Sequence, residues 1–307
     1  MPRLALATAI AAAALEDDPP PLLDACARAG IQTVARAWDD PTVAWSRFDA
    51  VLLRSTWDYT QRLPEFLDWC ARVSQQTQLI NPLPVVRWNT DKHYLAELAA
   101  AGIPVVPTAF VEPDSEPLPA LHGFLAMHAD ADEFVVKPAV GAGSRDTQRY
   151  ARTQDFAAAN HLARLLEDGR SAMLQPYLAS VDHDGETALM HFDGVFSQAI
   201  RKGALLLRDE GPTSHLFAAE SITPRLPASD ELELARQVLA AASRALRLDT
   251  PLSYARVDLI RGHDGAPQLL ELELCEPSLF FEHSAGSADR YAAALARTLA
   301  SSARTSA

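Results

Sequence analysis

The stretch Leu270-Glu271-Leu272-Glu273-Leu274 alternates leucine with glutamate. Because successive side chains of a strand point to opposite faces, this alternation predicts a strand with one apolar and one acidic face. A second predicted strand, residues 254–260, carries Asp258. If the two strands pair, three carboxylates come together, and oxygen ligands of this kind are those that Mg²⁺ prefers. The alternative is an acidic edge of an antiparallel sheet that faces solvent.

The neighbouring segments also indicate antiparallel pairing. Residues 186–192 and 195–202 alternate apolar and polar side chains around Asp193-Gly194, which is a strong hairpin-turn dipeptide. Long helices are predicted over residues 229–246 and 285–300. The C-terminal part of the chain is therefore predicted to be an antiparallel sheet accompanied by helices.

The first 85 residues have a different pattern, in which strands and helices alternate. This alternation indicates parallel βαβ units. Ligands of such sheets bind beyond the carboxyl ends of the strands, and Arg54–Tyr59 follows one of these ends. The predicted strands cover residues 3–8, 31–34, 48–54 and 78–80, and the predicted helices cover residues 21–30 and 63–73.

The middle of the chain is predicted to mix both kinds of element. A helix is expected to start at Asn89–Lys92, capped by Thr90 or Asp91, and to run toward Gly102. A polar, proline-rich loop over residues 112–119 is the best candidate for a linker. Further predicted elements are an extended segment over residues 103–111, a strand over 134–138, a helix over 155–167 and a strand over 172–175.

Lys137 ends an apolar strand shortly before a glycine turn, Gly141-Ala142-Gly143-Ser144. Glycine lets the backbone approach a ligand closely, and exposed N–H groups can cradle phosphate oxygens. The turn lacks the Gly-Lys-Ser/Thr of a Walker loop and the third glycine of a dinucleotide-binding fingerprint. The sequence has no Gly-x-Ser-x-Gly elbow and no His-Glu-x-x-His pair. For Lys137 alone, the alternative is a solvated charge.

Composition excludes some classes of partner. The 307 residues carry a net charge of −13 and three cysteines, Cys26, Cys70 and Cys275. A negative field repels phosphate backbones, so we expect no nucleic-acid partner and no anionic membrane partner. The cysteines fit neither a metal-binding spacing nor a disulfide framework, and they favour a reducing cytosol.

The length predicts about two domains.

The alanine-rich start of the chain, residues 4–15, has two interpretations. As a secretory signal it is poor, because a single arginine precedes it and its apolar run is weak. The alternative is a buried first strand over residues 3–8, which the parallel pattern needs. We therefore expect a cytoplasmic protein, and no run reaches the roughly 18 apolar residues of a membrane span.

The order of six short motifs is more specific than any one of them. They are Asn89-x-x-Lys92, Val135-Val136-Lys137-Pro138, Gln175-Pro176-Tyr177, Gly185-Glu186, Arg256-x-Asp258 and Glu271-x-Glu273. This order resembles the ATP-grasp superfamily, close to glutathione synthetase-like and D-alanine–D-alanine ligase-like enzymes. Three longer segments are similar to a narrower subgroup, which includes the cyclo-ligase of D-cycloserine biosynthesis. These segments are Ser55-Thr56-Trp57-Asp58-Tyr59, Trp88-Asn89-Thr90-Asp91-Lys92 and Glu271-Leu272-Glu273-Leu274-Cys275-Glu276-Pro277-Ser278.

The resemblance implies an α/β (α+β) fold of the ATP-grasp type in three parts. An N-terminal parallel α/β domain would cover residues 1–85. A small central lid domain would cover residues 86–175, and a C-terminal antiparallel α+β domain would cover residues 176–307. ATP would lie between the last two parts.

The resemblance also implies a role for individual residues. Arg256 would stabilise the transferred phosphoryl group, and Asp258, Glu271 and Glu273 would hold two Mg²⁺ ions, for which Mn²⁺ could substitute. The expected ATP-binding residues are Lys92, Lys137, Gly141, Gly143, Ser144, Gln175, Pro176, Tyr177, Leu178 and Glu186. The expected substrate-binding residues are Arg54, Ser55, Thr56, Asp58, Arg201, Lys202 and His215.

The activity that the resemblance implies is ATP-dependent formation of a carbon–nitrogen bond through an acyl phosphate. The carboxylate and amine would come from an amino acid or short peptide, with intramolecular cyclisation as one outcome and a homodimer as one assembly. The alternatives are a catalytically degenerate ATP-binding module and a dehydrogenase, for which the first turn lacks glycines.

Three features depart from the family pattern. Glu273 stands where many members have asparagine, and Thr187 stands where many have a basic residue. The segment over residues 207–219 lacks the expected substrate signature. These departures leave the carboxylate substrate open.

Overall fold

The N-terminal part is a four-stranded sheet with helices. The computed structural model describes residues 1–12, 18–206, 211 and 221–305. The strand order is β2-β1-β3-β4, and every pair is parallel, as predicted from the alternating pattern. Its elements are β1 (Arg3–Thr8), α1 (Pro19–Arg28), β2 (Gln32–Ala37), β3 (Ala50–Leu53), α2 (Leu63–Ser74) and β4 (Gln78–Ile80).

Burial explains why these segments are strands. Every residue of β3 is buried, as expected for a central strand of a sheet covered on both faces. In β1, Leu4–Thr8 is buried throughout, so the predicted first strand is confirmed. Gly30, with φ of 76°, lets the chain leave α1 and enter β2.

The middle part is a four-stranded antiparallel sheet of order β5-β8-β6-β7. Helices α5 and α6 pack on this sheet around Phe124, Phe134 and Leu162. The elements are α3 (Leu83–Asn89), α4 (Tyr94–Ala100), β5 (Ala109–Val111), α5 (Pro117–Met127), β6 (Glu133–Pro138), β7 (Gln148–Ala151), α6 (Asp155–Glu167) and β8 (Ala172–Pro176).

Two expectations for this part were wrong. The predicted linker over residues 112–119 is not a separator of domains, because α5 already begins at Pro117 and packs on the same sheet as β5. A proline in the first turn of a helix costs no hydrogen bond, since its missing N–H would be unpaired there anyway. Asn89 does not start a helix but ends α3, and Lys92 lies between α3 and α4.

The C-terminal part is a five-stranded antiparallel sheet of order β11-β10-β9-β12-β13. The predicted hairpin is confirmed: Asp193 and Gly194 both have positive φ, as a two-residue turn of this kind requires. The elements are α7 (Ser180–Asp184), β9 (Glu186–Phe192), β10 (Val195–Lys202), β11 (Ile222–Arg225), α8 (Ser229–Ala245), β12 (Tyr254–Arg261), β13 (Pro267–Glu273) and α9 (Ser287–Thr305).

The last helix closes on the first part of the chain. Tyr291 of α9 stacks on Phe192 of β9 with ring centroids 4.4 Å apart, and both belong to an apolar cluster that includes Leu4 and Leu22. Domain boundaries at residues 85 and 175 stay a prediction. Among the described residues, no helix combines the length and the apolar character that crossing a membrane requires.

Candidate functional site

A cleft lies where the middle and C-terminal sheets meet. It is bordered by β6, the glycine turn, the segment after β8, and the facing side of β10, β12 and β13. Most of the residues predicted to bind ATP or metal therefore share one site. The predicted residues that line it are Lys92, Lys137, Gly141, Gly143, Ser144, Gln175, Pro176, Tyr177, Leu178, Glu186, Lys202, Arg256, Glu271 and Glu273.

The acidic strand has the pairing expected from its sequence. Asp258 of β12 lies opposite Glu271 of β13, and Arg256 lies opposite Glu273. Because residues two apart in a strand share a face, these four side chains lie on one side of the sheet. Leu272 is buried on the other side, so the strand cannot turn its carboxylates away without exposing its apolar face.

Cationic side chains lie between the carboxylates. The Arg256 guanidinium bonds both oxygens of Asp258, with Nε to Oδ1 and Nη2 to Oδ2 each at 2.9 Å, and it also contacts Glu273. Burial favours a raised pKa for Asp258, but Arg256 and Lys202 outweigh it and hold the pKa below its usual range. Burial raises the pKa of Glu273 to about 8 despite Arg256, since Glu271 and Asp258 repel its negative form.

Lys92 joins the glycine turn to β13. Its Nζ donates to the backbone oxygen of Gly141 over 2.7 Å and lies 3.0 Å from Oε1 of Glu271. Burial opposes the ionised form of Glu271, but the charges of Lys92 and Lys137 lower its pKa overall. The side chain of Lys92 is therefore a fixed cation at the floor of the cleft.

Lys137 has a different environment. Burial lowers the pKa of its ammonium group to about 8, and Glu271 offsets that effect only in part. Among the described residues, the ammonium group has no hydrogen bond or ion pair within the distances found for Lys92. A desolvated cation of this kind gains most from an anionic ligand such as a phosphate.

Glu186, one of the residues expected to bind ATP, is paired with Lys202 in this structure. The Lys202 ammonium lies 3.2 Å from Oε2 of Glu186 and 3.1 Å from Oδ2 of Asp258. Gly185 precedes Glu186 with φ of 69°, and a Cβ there would lie 2.4 Å from the backbone oxygen of Lys202. Only glycine therefore permits this close approach of β9 and β10.

The segment Gln175–Leu178, which is expected to bind ATP, is held in place by hydrogen bonds and a cation–π contact of its side chains. Gln175 donates to the Thr108 hydroxyl over 2.8 Å. The Tyr177 hydroxyl donates to Asp182 over 2.6 Å, and the Arg149 guanidinium lies 3.5 Å from the centre of the Tyr177 ring. These contacts keep one wall of the cleft in place.

Several predicted substrate residues do not line the cleft, and their own contacts give the reason. Arg54 is 1% exposed and pairs with Asp18 over 2.9 Å. Ser55 is buried against the Thr8 hydroxyl, and Thr56 is fully buried.

Asp58 and Arg201 are likewise directed elsewhere. Asp58 accepts from the Trp38 indole over 2.8 Å and pairs with Arg62. Arg201 donates to the carbonyl oxygens of His183 and Asp184. Of the predicted substrate residues only Lys202 lines the cleft, and His215 lies outside the described residues.

The structure adds residues to which the sequence analysis gave no individual role, although Trp57 and Tyr59 lie in the segment Arg54–Tyr59 that was expected to border a ligand. Trp57, Tyr59, Asn89, Glu276, Ser278 and Phe280 also line the cleft. All but Phe280 belong to the three segments quoted for the narrower resemblance, so their clustering in those segments was the available signal. The facing directions of most of them could not be read from the sequence, because Trp57 and Tyr59 lie in a short 3-10 helix and Glu276 and Ser278 follow the end of β13.

The carboxylates fit a magnesium ion by their chemistry. Glu271 and Glu273 present hard oxygen donors to the cleft, as Mg²⁺ requires. Asp258 is 1% exposed behind them, with both oxygens bonded to Arg256. Within the described ranges, no three His, Cys, Asp or Glu side chains stand together as a ready metal site. The cations Lys92 and Arg256 hold the acidic face in this arrangement.

Comparison with known proteins gives three consistent findings. Residues 4–81 match the family model described as the N-terminal domain of D-cycloserine synthetase DcsG. The cycloserine biosynthesis protein DcsG of Streptomyces lavendulae is 49% identical over 296 residues, which is 96% of this chain and 98% of that protein. The crystal structure of D-cycloserine synthetase DcsG has a TM-score of 0.92 at 48% identity, covering 97% of this chain and 99% of the other.

A more distant structure shares the fold. D-alanine–D-alanine ligase from Bacillus anthracis has a TM-score of 0.66 at 15% identity, covering 99% of this chain and 98% of the other. At that identity the likeness establishes the architecture, with its parallel sheet and two antiparallel sheets. The expected ATP-grasp fold is therefore confirmed.

Proposed function

This chain is an ATP-dependent ligase that belongs to the DcsG family of the ATP-grasp superfamily, and we propose that it closes a ring on a small amino acid. The ring would form through a carbon–nitrogen bond between the carboxyl group and a nitrogen of the same molecule. The substrate that the resemblance implies is O-ureido-D-serine, and the product is D-cycloserine.

One observation carries the proposal: the likeness to DcsG spans nearly all of both chains at 49% identity. The aligned region with DcsG covers 96% of this chain, so it extends over the segments that border the cleft. The cleft chemistry supports it independently, since Lys92, Lys137 and Arg256 line the same space as Glu271 and Glu273, between the two antiparallel sheets.

The proposed reaction has three steps. A carboxylate oxygen of the substrate attacks the γ-phosphorus of ATP, the bond to the ADP oxygen breaks, and an acyl phosphate and ADP result. The ureido nitrogen that is bonded to oxygen then attacks the acyl carbon, phosphate leaves with the electron pair of the carbon–oxygen bond, and the nitrogen releases its proton to solvent. Water finally attacks the carbamoyl carbon on this nitrogen, the nitrogen–carbon bond breaks with its electron pair and a proton going to the ring nitrogen, and the carbamate released decomposes to CO₂ and ammonia. Phosphoryl transfer needs little covalent help from the protein and much electrostatic stabilisation.

The residues of this chain would supply that stabilisation. Lys92 and Lys137 would bind phosphate oxygens, and Arg256 would stabilise the charge of the transferred group. We propose that Asp258, Glu271 and Glu273 hold two Mg²⁺ ions, with Mn²⁺ as a substitute. When bound, the metal supplies charge neutralisation on the β- and γ-phosphates.

The proposal also covers the partners of the protein and its location in the cell. The partners are small-molecule carboxylate and amine substrates, and a homodimer and a cytoplasmic location remain part of the proposal. The three cysteines support a reducing compartment, because all are buried as free thiols.

The experiment is a substrate screen with the purified chain, ATP and Mg²⁺. O-ureido-D-serine, single amino acids and dipeptides are each tested for ADP release, and products are identified by mass spectrometry. We expect ADP release and D-cycloserine with O-ureido-D-serine, and a hydroxamate when hydroxylamine traps the acyl phosphate. Release of ADP only with two separate substrates would replace cyclisation by a linear ligation. Binding of ATP with no ADP release from any substrate would favour the degenerate module.

A further inference from the structure

Glu276 differs from the other acidic side chains that are buried in the described part of the chain. Four of these five have an arginine or lysine partner within 4.0 Å, whereas no such ion pair is found for Glu276 among the described residues. The five are Asp18, Asp58, Glu231, Asp258 and Glu276. Burying a carboxylate without a cation is costly, so such a group normally has a partner.

The position of Glu276 is set by the N-terminal part of the chain. The Trp57 indole N–H donates to the backbone oxygen of Glu276 over 3.1 Å. Burial raises the pKa of the Glu276 carboxyl group to about 7, and the Tyr59 side chain beside it lowers this pKa in part. Although only 7% exposed, Glu276 is part of the cleft lining, together with Trp57, Tyr59 and Phe280. The carboxyl group is thus held at the wall of the cleft nearest to the N-terminal part.

From this arrangement we propose that Glu276 binds the ammonium group of the amino-acid substrate. Tyr59 would position the carboxyl group of Glu276. The inference rests on the proposed function, because it names the chemical feature of the substrate that the site selects. The substrate ammonium supplies the direct ion pair that Glu276 lacks among the described residues; Lys92 and Arg256 act on its charge only from a greater distance. It would also lie among aromatic rings, whose faces attract cations.

Other occupants fit this position less well. A phosphate group would be repelled by Glu276, and cations for phosphate lie instead at Lys92, Lys137 and Arg256. A substrate carboxylate would be repelled in the same way. An ammonium group at Glu276 therefore leaves the substrate's carboxyl group free to point toward the cationic side of the cleft, where ATP would react.

The test compares two substrates with two variants. O-ureido-D-serine carries the ammonium group, and 3-(ureidooxy)propanoate is the same molecule without it. In Glu276→Gln, which keeps size and hydrogen bonding, we expect kcat/KM for O-ureido-D-serine to fall about 10- to 100-fold. For 3-(ureidooxy)propanoate we expect a change within about twofold, because its binding never used the negative charge.

Two further variants serve as comparisons. Tyr59→Phe should lower kcat/KM for O-ureido-D-serine, relative to that for 3-(ureidooxy)propanoate, by a smaller factor than Glu276→Gln does. Glu282→Gln changes an exposed carboxylate close by in the sequence and should leave this ratio unchanged. The affinity for ATP, measured by calorimetry, should stay the same in all variants. An equal loss for both substrates in Glu276→Gln would mean a structural role and overturn the inference.

The proposed function can fail without the inference about Glu276 failing. If the wild-type enzyme releases no ADP with O-ureido-D-serine, the proposed function is contradicted, but the inference is not. The inference is then decided with whichever amino acid of the screen releases ADP, compared in the same way with its deaminated analogue. A screen in which no amino acid releases ADP overturns both.

Discussion

The side chain of Asn89 completes the outer edge of β13 at Leu272. Its amide nitrogen donates to the Leu272 oxygen over 2.7 Å, and its amide oxygen accepts from the Leu274 N–H over 2.6 Å. The Tyr94 hydroxyl adds two bonds to the Leu272 backbone, each at 2.9 Å. β13 is the last strand of its sheet, so these side chains take the place of a neighbouring strand. They fix the strand that carries Glu271 and Glu273.

Asn89→Ala should therefore destabilise the protein. The change removes one of the two hydrogen bonds to the Leu272 carbonyl and takes away the partner of the Leu274 N–H, so we expect the free energy of unfolding to fall by about 1–3 kcal/mol. Urea denaturation measures this loss. Asn160→Ala, on an exposed face of α6, is the control and should change it by less than about 0.5 kcal/mol. Equal effects in the two variants would contradict the role of Asn89.

Lys137→Met should stabilise the ligand-free protein at pH 7 by about 1–3 kcal/mol. The folded-state pKa of Lys137 is about 8, below its ordinary value of 10.5, so folding opposes protonation. The wild type should therefore gain stability relative to Lys137→Met as the pH rises from about 8 to 10.5. Denaturation at pH 7 and pH 10 tests the sign. The same variant should bind ATP about 10- to 100-fold more weakly by calorimetry.

The same change at Lys92 should have the opposite effect on stability. Lys92→Met removes the ion pair to Glu271 and the bond to Gly141, and both partners are partly buried. We expect a loss of about 2–4 kcal/mol in the free energy of unfolding at pH 7. The two lysine variants thus serve as controls for each other. If both variants were more stable than the wild type, the ion pair of Lys92 would not stabilise the fold.

Glu271→Gln should reduce turnover far more than it reduces folding. If phosphoryl transfer depends on this carboxylate, kcat for ADP release should fall about 100-fold or more. Because the pKa of Glu271 is lowered in the folded state, its stabilising effect is present above the unfolded pKa. The stability difference from wild type should therefore shrink as the pH falls below about 4.5. Glu233→Gln, in an exposed pair on α8, is the control and should keep full turnover.

Gly185→Ala should disturb both stability and the Glu186–Lys202 pair. The new Cβ would overlap the Lys202 backbone oxygen, and the φ of 69° disfavours any side chain there. We expect a cost of roughly 2 kcal/mol or more. Gly123→Ala is the matched control: this glycine lies inside α5 with no atom near its Cβ position, and the change should stabilise by about 0.5–1 kcal/mol. Thermal unfolding of both variants measures the two effects, and an unchanged or higher melting temperature for Gly185→Ala would contradict the prediction.

Local sequence patterns were enough for much of the fold. The leucine–glutamate alternation predicted the acidic face of β13, and Asp193-Gly194 predicted the hairpin turn, because both depend on neighbouring residues alone. The errors came where local signals compete. Pro117 resembled a loop residue but starts a helix, and Asn89 was expected at the start of a helix but ends α3 and bonds to the edge of β13.

The sequence by itself determined the periodicities, the parallel and antiparallel parts and the set of charged residues that the cleft brings together. Only the tertiary structure decided which charges pair. Trp57 meets Glu276 across 219 positions of the chain, and Asn89 meets Leu272 across 183. No pattern of adjacent residues encodes such contacts, because they depend on how separate sheets pack. For the same reason Arg54 faces Asp18 rather than a substrate, and Glu276 forms no ion pair with a described residue.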